Sequence, residues 1–307
     1  MSNTVAFRPR VTAAVTAVLA AALGAAVLTA PAAGAATVPA ASANGHDFNG
    51  NGTPDLLQID RAGTIHRYDT SYDAATGKVS AKAPVVAATD WPQGQRITAT
   101  GNLGGSSVGD VVAKDYRGVL RLYKGRGDGG FDAPVDISKG WHAYNIIVGG
   151  GDVTGDGKPD LLGVGMDGSL WYHTGTGNGA APFAPARKQA GPSGWGVYWS
   201  FALGDFAGGK AADIVAVDSR GGLWLHQGKG DGTFANRTKV GWGWHVYESV
   251  LNVGDTDRDG KADLMGFTRN GTAAFYKGTH DAAKPFGAAR PVPLNAISDP
   301  WVDGFYF

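Results

Sequence analysis

The segment Asp255-Thr256-Asp257-Arg258-Asp259-Gly260-Lys261-Ala262-Asp263 constrains this chain more than any other. Asp stands at its first, third, fifth and ninth positions and Gly at its sixth. Alternate positions of a tight loop can point inward at one cation, and Gly at the sixth permits the sharp bend. Carboxylates and backbone carbonyls suit a hard cation that takes roughly six to eight oxygens, which favours Ca2+ over Mg2+. A single Asp-Gly pair would mark only a turn. Four Asp at this spacing mark a cation loop.

The loop recurs, and the recurrence sets the fold. Asp47, Asn49, Asn51 and Asp55 keep oxygen side chains at the same four positions, and so do Asp152, Thr154, Asp156 and Asp160. With the seventh residues counted for their carbonyls, the expected ligand sets are Asp47, Asn49, Asn51, Thr53, Asp55; Asp152, Thr154, Asp156, Lys158, Asp160; and Asp255, Asp257, Asp259, Lys261, Asp263. These are up to three structural Ca2+ sites. Charged ligands rank affinity, so binding should weaken from 255 to 152 to 47. Two further copies, Asn102 to Asp110 and Asp205 to Asp213, are eroded: Gly104 and Ser106, and Ala207 and Gly209, stand where ligands should be. Loop starts at 47, 102, 152, 205 and 255 give a period of 50 to 55 residues, the mark of a solenoid, propeller or array.

Each unit continues alike. The ninth loop residue opens a short apolar run, as in Asp160-Leu161-Leu162, and a Gly follows eight residues beyond it: Gly63, Gly118, Gly168, Gly221 and Gly271. This predicts strand, hairpin, strand. Glycine turns such as Gly228-Lys229-Gly230-Asp231-Gly232 come next, closed by Phe131, Phe183, Phe234 or Phe286, each expected to start another strand. The remaining strand precedes the loop and is announced by Trp91, Trp141, Trp195 or Trp244. Four antiparallel strands per unit make a propeller blade. The chain holds 26 Asp but one Glu, Glu248, and 49 Gly; Asp and Gly favour turns where Glu favours helix. The fold class is therefore all-β, a five-bladed propeller over residues 45–307. The first unit lacks a Trp strand, and Trp301 to Phe307 is a Trp strand without a loop. The last strand should complete the first blade and close the ring.

Residues 1–36 read as a secretory signal peptide. Arg8 and Arg10 precede an uncharged, Ala-rich run, with Ala33-Gly34-Ala35 or Ala41-Ser42-Ala43 as cleavage signals, and 37–44 form a short linker. The expected location is extracellular, with no membrane span in the mature chain. Removing the leader takes the net charge from 0 to about minus two. Such a chain lacks the basic footprint of a nucleic-acid binder. With no Cys it has no disulfide, thiol chemistry or Cys zinc site.

Asp-x-Asp-x-Asp-Gly-x-x-Asp before an apolar strand resembles the FG-GAP/VCBS repeat family of propellers, and Asp255 to Leu264 matches that pattern without a departure. The Gly-Trp-x-x-Tyr and Gly-x-Leu-Trp elements resemble those of five-bladed tachylectin-like lectin propellers. That resemblance implies a carbohydrate-binding module.

Two functions compete. In the first, Trp141, Tyr144, Trp195, Tyr198, Trp244 and Tyr247, with Trp242 as an extra aromatic, offer flat faces to a glycan or cell-surface polysaccharide. Repeated weak sites would then gain avidity. The opposing reading of these aromatics is blade-to-blade packing. In the second, the propeller docks another secreted protein in a larger assembly. Catalysis is not expected: there is no Cys nucleophile, Gly-x-Ser-x-Gly elbow or His-Glu-x-x-His motif.

Overall fold

A computed structural model of the chain describes residues 45–91, 96–209 and 211–294. The sequence-predicted signal peptide, the linker and the closing strand Trp301 to Phe307 lie outside the described residues. The described chain forms five four-stranded antiparallel sheets arranged as a β-propeller. Blade 1 holds β1 (Asp55–Ile59), β2 (Ile65–Asp73), β3 (Lys78–Ala81) and β4 (Val85–Ala88). Blade 2 holds β5 (Arg96–Gly101), β6 (Asp110–Lys114), β7 (Leu120–Tyr123) and β8 (Val135–Ser138). Blade 3 runs through β9 (Tyr144–Gly151), β10 (Asp160–Gly165), β11 (Leu170–His173) and β12 (Lys188–Gly191). Blade 4 runs through β13 (Tyr198–Gly204), β14 (Asp213–Asp218), β15 (Leu223–His226) and β16 (Thr238–Gly241). Blade 5 comprises β17 (Ser249–Asn252), β18 (Leu264–Phe267), β19 (Ala273–Tyr276) and β20 (Arg290–Val292).

The apolar pair after each ninth Asp explains how blades join. Successive side chains of a strand point to opposite faces. Leu161 packs with Leu103, Val112 and Leu120 of blade 2, whereas Leu162 packs with Tyr198, Leu203 and Ile214 of blade 4. Ile214 and Val215 divide in the same way between blades 3 and 5. The ring closes on the same principle. Met265, Phe267 and Phe275 of blade 5 form one core with Leu56, Tyr68, Val79 and Ala81 of blade 1, and Arg290 Nη1 donates to the Gly77 carbonyl at 2.6 Å.

Three details depart from the sequence reading. Blade 1 reaches four strands through an inserted hairpin: β2 is long, pairing through Thr70–Asp73 with β3 and through Ile65–Arg67 with β4. Among the described residues β1 pairs only with β2. The Trp residues stand just ahead of the strands they announce, Trp141, Trp195 and Trp244 each opening a three-residue 3-10 turn whose following Tyr starts or precedes the inner strand. The turn-closing Phe residues make isolated bridges to Gly125, Gly175, Gly228 and Gly278, and the outer strands begin a few residues later.

Topology gives each blade two distinct ends. The Asp loops and glycine turns lie at one. At the other lie the hairpins that follow the ninth Asp and, among the described residues, the 3-10 turns that lead into blades 3 to 5; the inserted hairpin of blade 1 lies at the Asp-loop end.

Candidate functional site

The ninth Asp is a backbone hub. Asp160 Oδ2 accepts from the Val153 and Thr154 N–H at 2.9 and 3.0 Å, while its Oδ1 accepts from Gly175 N–H at 2.8 Å. Asp263 accepts from Thr256 and Gly278, at 2.9 and 2.8 Å. The eroded loops keep the arrangement: Asp213 accepts from Phe206, Ala207 and Gly228, and Asp110 from Gly104 and Gly125. In these four blades the carboxylate ties the loop to the glycine turn of its own blade. Burial pushes the carboxyls of Asp55 and Asp263 up to about 7 and those of Asp160 and Asp213 up to about 6, against the pull of the N–H donors.

The first position organises the loop tip. Asp47 accepts from Asn51 and Gly52 N–H, Asp152 from Gly155 and Gly157, and Asp255 from Asp259 and Gly260. The sixth-position glycines have φ of 80° (Gly52), 82° (Gly157) and 85° (Gly260), the left-handed region that favours Gly. Asn51, Asp156 and Asp259 each accept from the N–H two residues on, in Thr53, Lys158 and Lys261.

The three loops are not equally ready for a cation. Asp255, Asp257 and Asp263 bring carboxylate oxygens within 4.8 Å of one another, and they form the only group of three acidic or His ligands so gathered among the described residues. Ca2+ holds its oxygens at about 2.3–2.6 Å, so this donor set fits the ion. Lys277 competes for the same charge: its ammonium touches the Asp257 carboxylate and lies 3.0 Å from Asp259 Oδ2. These contacts raise its pKa. At the loop starting at 47, the Arg67 guanidinium reaches Asp69 at 3.0 Å and Asp55 at 3.8 Å, and Asn49 donates to Asp69 at 2.9 Å. The carboxylates of Asp152, Asp156 and Asp160 are not gathered as closely as those at 255.

The repeated aromatics lie between blades. Trp141, Tyr144, Tyr198 and Trp244 are buried, and Trp195 and Tyr247 half-buried. The Trp141, Trp195 and Trp244 rings lie 4.3, 4.4 and 4.6 Å from those of His173, His226 and Tyr276. Arg187 Nη1 donates to the Tyr144 hydroxyl at 2.8 Å, which meets His173 Nε2 at 2.9 Å. Arg237, Tyr198 and His226 repeat the chain at 3.0 Å for both links. In blade 5 the Tyr247 and Tyr276 hydroxyls meet at 2.6 Å. Burial, aided by the neighbouring Arg charge, lowers both His173 and His226 to about 4. The aromatics that face solvent are others: Tyr116 (81% exposed), Trp242 (59%) and Trp199 (38%). Tyr116 and Trp199 fall outside the sequence prediction. The available signal was position, a hairpin tip for Tyr116 and the outward-alternating residue after Tyr198 for Trp199.

At the hairpin ends of blades 2 and 3 lies an open cavity of about 300 Å3. Its walls include Arg96, Lys114, Tyr116, His142, Asn145 and Met166. Of the six sequence-predicted aromatics, Tyr144 alone borders it. Lys114 Nζ donates to the Tyr144 carbonyl at 2.6 Å. Asp115, the cavity's one acid, accepts from Arg121 Nη1 at 3.0 Å and from the Arg117 and Val119 N–H.

The FG-GAP-like repeat family model matches residues 152–215 and 205–266, from the Asp loop of blade 3 into β18 of blade 5. No curated protein matches the chain. Among solved structures, the chain is similar to an Agrocybe aegerita lectin that recognises non-reducing terminal N-acetylglucosamine, at 18% identity and a TM-score of 0.47, covering 80% of this chain and 64% of that one. It is similar to the Photorhabdus luminescens Tc holotoxin pore at 16% identity and a TM-score of 0.45, over 81% of this chain and 12% of that one. The Burkholderia pseudomallei lectin BP39L gives 16% identity and a TM-score of 0.40, over 78% and 70%. The chain thus spans less than two thirds of the length of the first two.

Proposed function

We propose that this is a secreted carbohydrate-binding propeller, stabilised by calcium and without catalysis of its own. The cavity between blades 2 and 3 carries the reading. Its volume of about 300 Å3 sits at the lower end of small-molecule sites, roughly 300–1,000 Å3, and suits one sugar ring. Tyr116 and Met166 supply apolar faces, and Asn145 and His142 supply groups that can bond ring hydroxyls. Asp255, Asp257 and Asp263 would hold calcium, which supplies the positive charge that clustered carboxylates need. The Asp loops and the cavity belong to opposite ends of the blades. Calcium therefore acts on the fold and not on the sugar. The leader-like residues 1–36 support export.

The test is a glycan array with residues 44–307, run with calcium and again with a chelator. A defined saccharide should bind in both conditions while the protein stays folded, and Tyr116→Ala should weaken it. A blank array from folded protein would overturn the proposal and favour the protein-docking alternative.

A further inference from the structure

The cavity is lined by a basic pair that the equivalent positions of blades 3 to 5 lack. Arg96 and Lys114 stand directly opposite each other on β5 and β6. The corresponding cross-strand pairs are Ile146 with Val164 in blade 3, Ser200 with Val217 in blade 4 and Ser249 with Phe267 in blade 5. Four residues past the ninth Asp, the other blades place Ile59, Val164, Val217 and Phe267, all in or against inter-blade cores. Lys114 alone brings an ammonium to that position. Like charges directly opposite each other on a sheet destabilise it. Burial and the Arg96 charge both lower the Lys114 pKa, which is the electrostatic cost of this placement.

Lys114 Nζ donates to the Tyr144 carbonyl and Arg96 is exposed to solvent, but no carboxylate offsets that cost. Among the described residues neither Arg96 nor Lys114 lies within 4.0 Å of a carboxylate. The nearby Asp115 is committed to Arg121, which also reaches Asp136 at 2.8 Å. Both cations, without a carboxylate partner, line the same cavity. An anion seated there would relieve their repulsion and gain charge-assisted hydrogen bonds.

Resting on the carbohydrate reading above, we infer that this cavity takes an acidic saccharide, a sugar ring whose carboxylate lies between Arg96 and Lys114. The ring then lies towards Tyr116 and Met166, and its hydroxyls meet His142 and Asn145. The site is single, because no other blade carries the basic pair.

The test is calorimetric titration of residues 44–307 with uronates and N-acetylneuraminate, each set beside a neutral sugar of the same ring, and with inorganic phosphate as a bare anion. At least one acidic sugar should bind tenfold or more tightly than its neutral partner, and weaken as salt rises. Lys114→Val installs the residue that blades 3 and 4 use. It should raise the melting temperature and remove the tenfold preference, and Arg96→Ser should also remove the preference. Equal binding of acidic and neutral sugars, or an unchanged preference in Lys114→Val, overturns this inference and leaves the carbohydrate reading standing. Phosphate binding as tight as the best sugar overturns the saccharide part. No saccharide binding here or on the array overturns both.

Discussion

Asp213 separates the two jobs an Asp can have in these loops. Its loop has lost the third- and fifth-position ligands to Ala207 and Gly209, yet its carboxylate still accepts three backbone N–H bonds. Asn at this position would turn an N–H2 group towards donors and leave at least one buried N–H unmatched. Asp213→Asn should therefore cost about 1–3 kcal/mol, read by denaturant titration, with calcium making no difference to the loss. His226 carries a second residue-scale prediction. Its folded pKa of about 4 lies below the unfolded value of about 6.5. The neutral ring's contribution is thus complete above pH 6.5 and is lost as pH falls towards 4. Relative to His226→Gln, which takes up no proton there, the native chain should lose up to about 3 kcal/mol between pH 7 and pH 4. Parallel melting curves for the two proteins would contradict this. The shared Asp titrations cancel in the comparison.

Among the elements, the joint between hairpin and 3-10 turn repeats most faithfully. The N–H of Trp91, Trp141, Trp195 and Trp244 donates to the carbonyl of Gly63, Gly118, Gly168 and Gly221 respectively, at 2.9–3.0 Å. Among the described residues, the entrances of blades 2 to 5 are thereby stitched to the hairpin of the blade before. Gly118 has φ of 75°, and a Cβ there would lie 2.5 Å from the His142 nitrogen. Gly118→Ala should cost about 1–3 kcal/mol from backbone conformation alone, and more from the clash, with thermal melting as the measurement. The sequence showed a turn at these glycines but not their second role, since a carbonyl acceptor leaves no trace in side-chain chemistry. The Trp-x-x-Tyr repeat was equally visible, and its burial was not: aromatics at a 50-residue period serve packing and ligand contact alike. The inserted hairpin of blade 1 is not legible in the repeat pattern, because β2 and β3 break the spacing of the other repeats. The Arg96–Lys114 pair has no signature in the sequence for a related reason. Its members are 18 residues apart in the chain, and only the β5–β6 register sets them opposite each other.

Across the whole molecule, five inter-blade cores make a closed ring, and the fifth joins blade 5 to blade 1. That contact uses β1 to β3 and β18 to β20, so closure by packing stands independently of the last residues. The stitching pattern still bears on them. Gly271 has φ of 78° like its four counterparts, and Trp301 follows it by 30 residues where the other pairs are 23 to 28 apart. We expect deletion of residues 301–307 to lower the melting temperature sharply and to leave a chain prone to edge-to-edge association. An unchanged melting temperature and a monomeric truncated protein would show that the ring needs no closing strand.

The proposed sugar site lies at the hairpin ends of blades 2 and 3. A crystal structure of residues 44–307 soaked with the tightest saccharide from the array tests it most directly. Sugar density is expected at the hairpin ends of blades 2 and 3, with the ring near Tyr116 and an acidic group between Arg96 and Lys114. Density against Trp242, at the Asp loops or on any other blade, with this cavity empty, would contradict it.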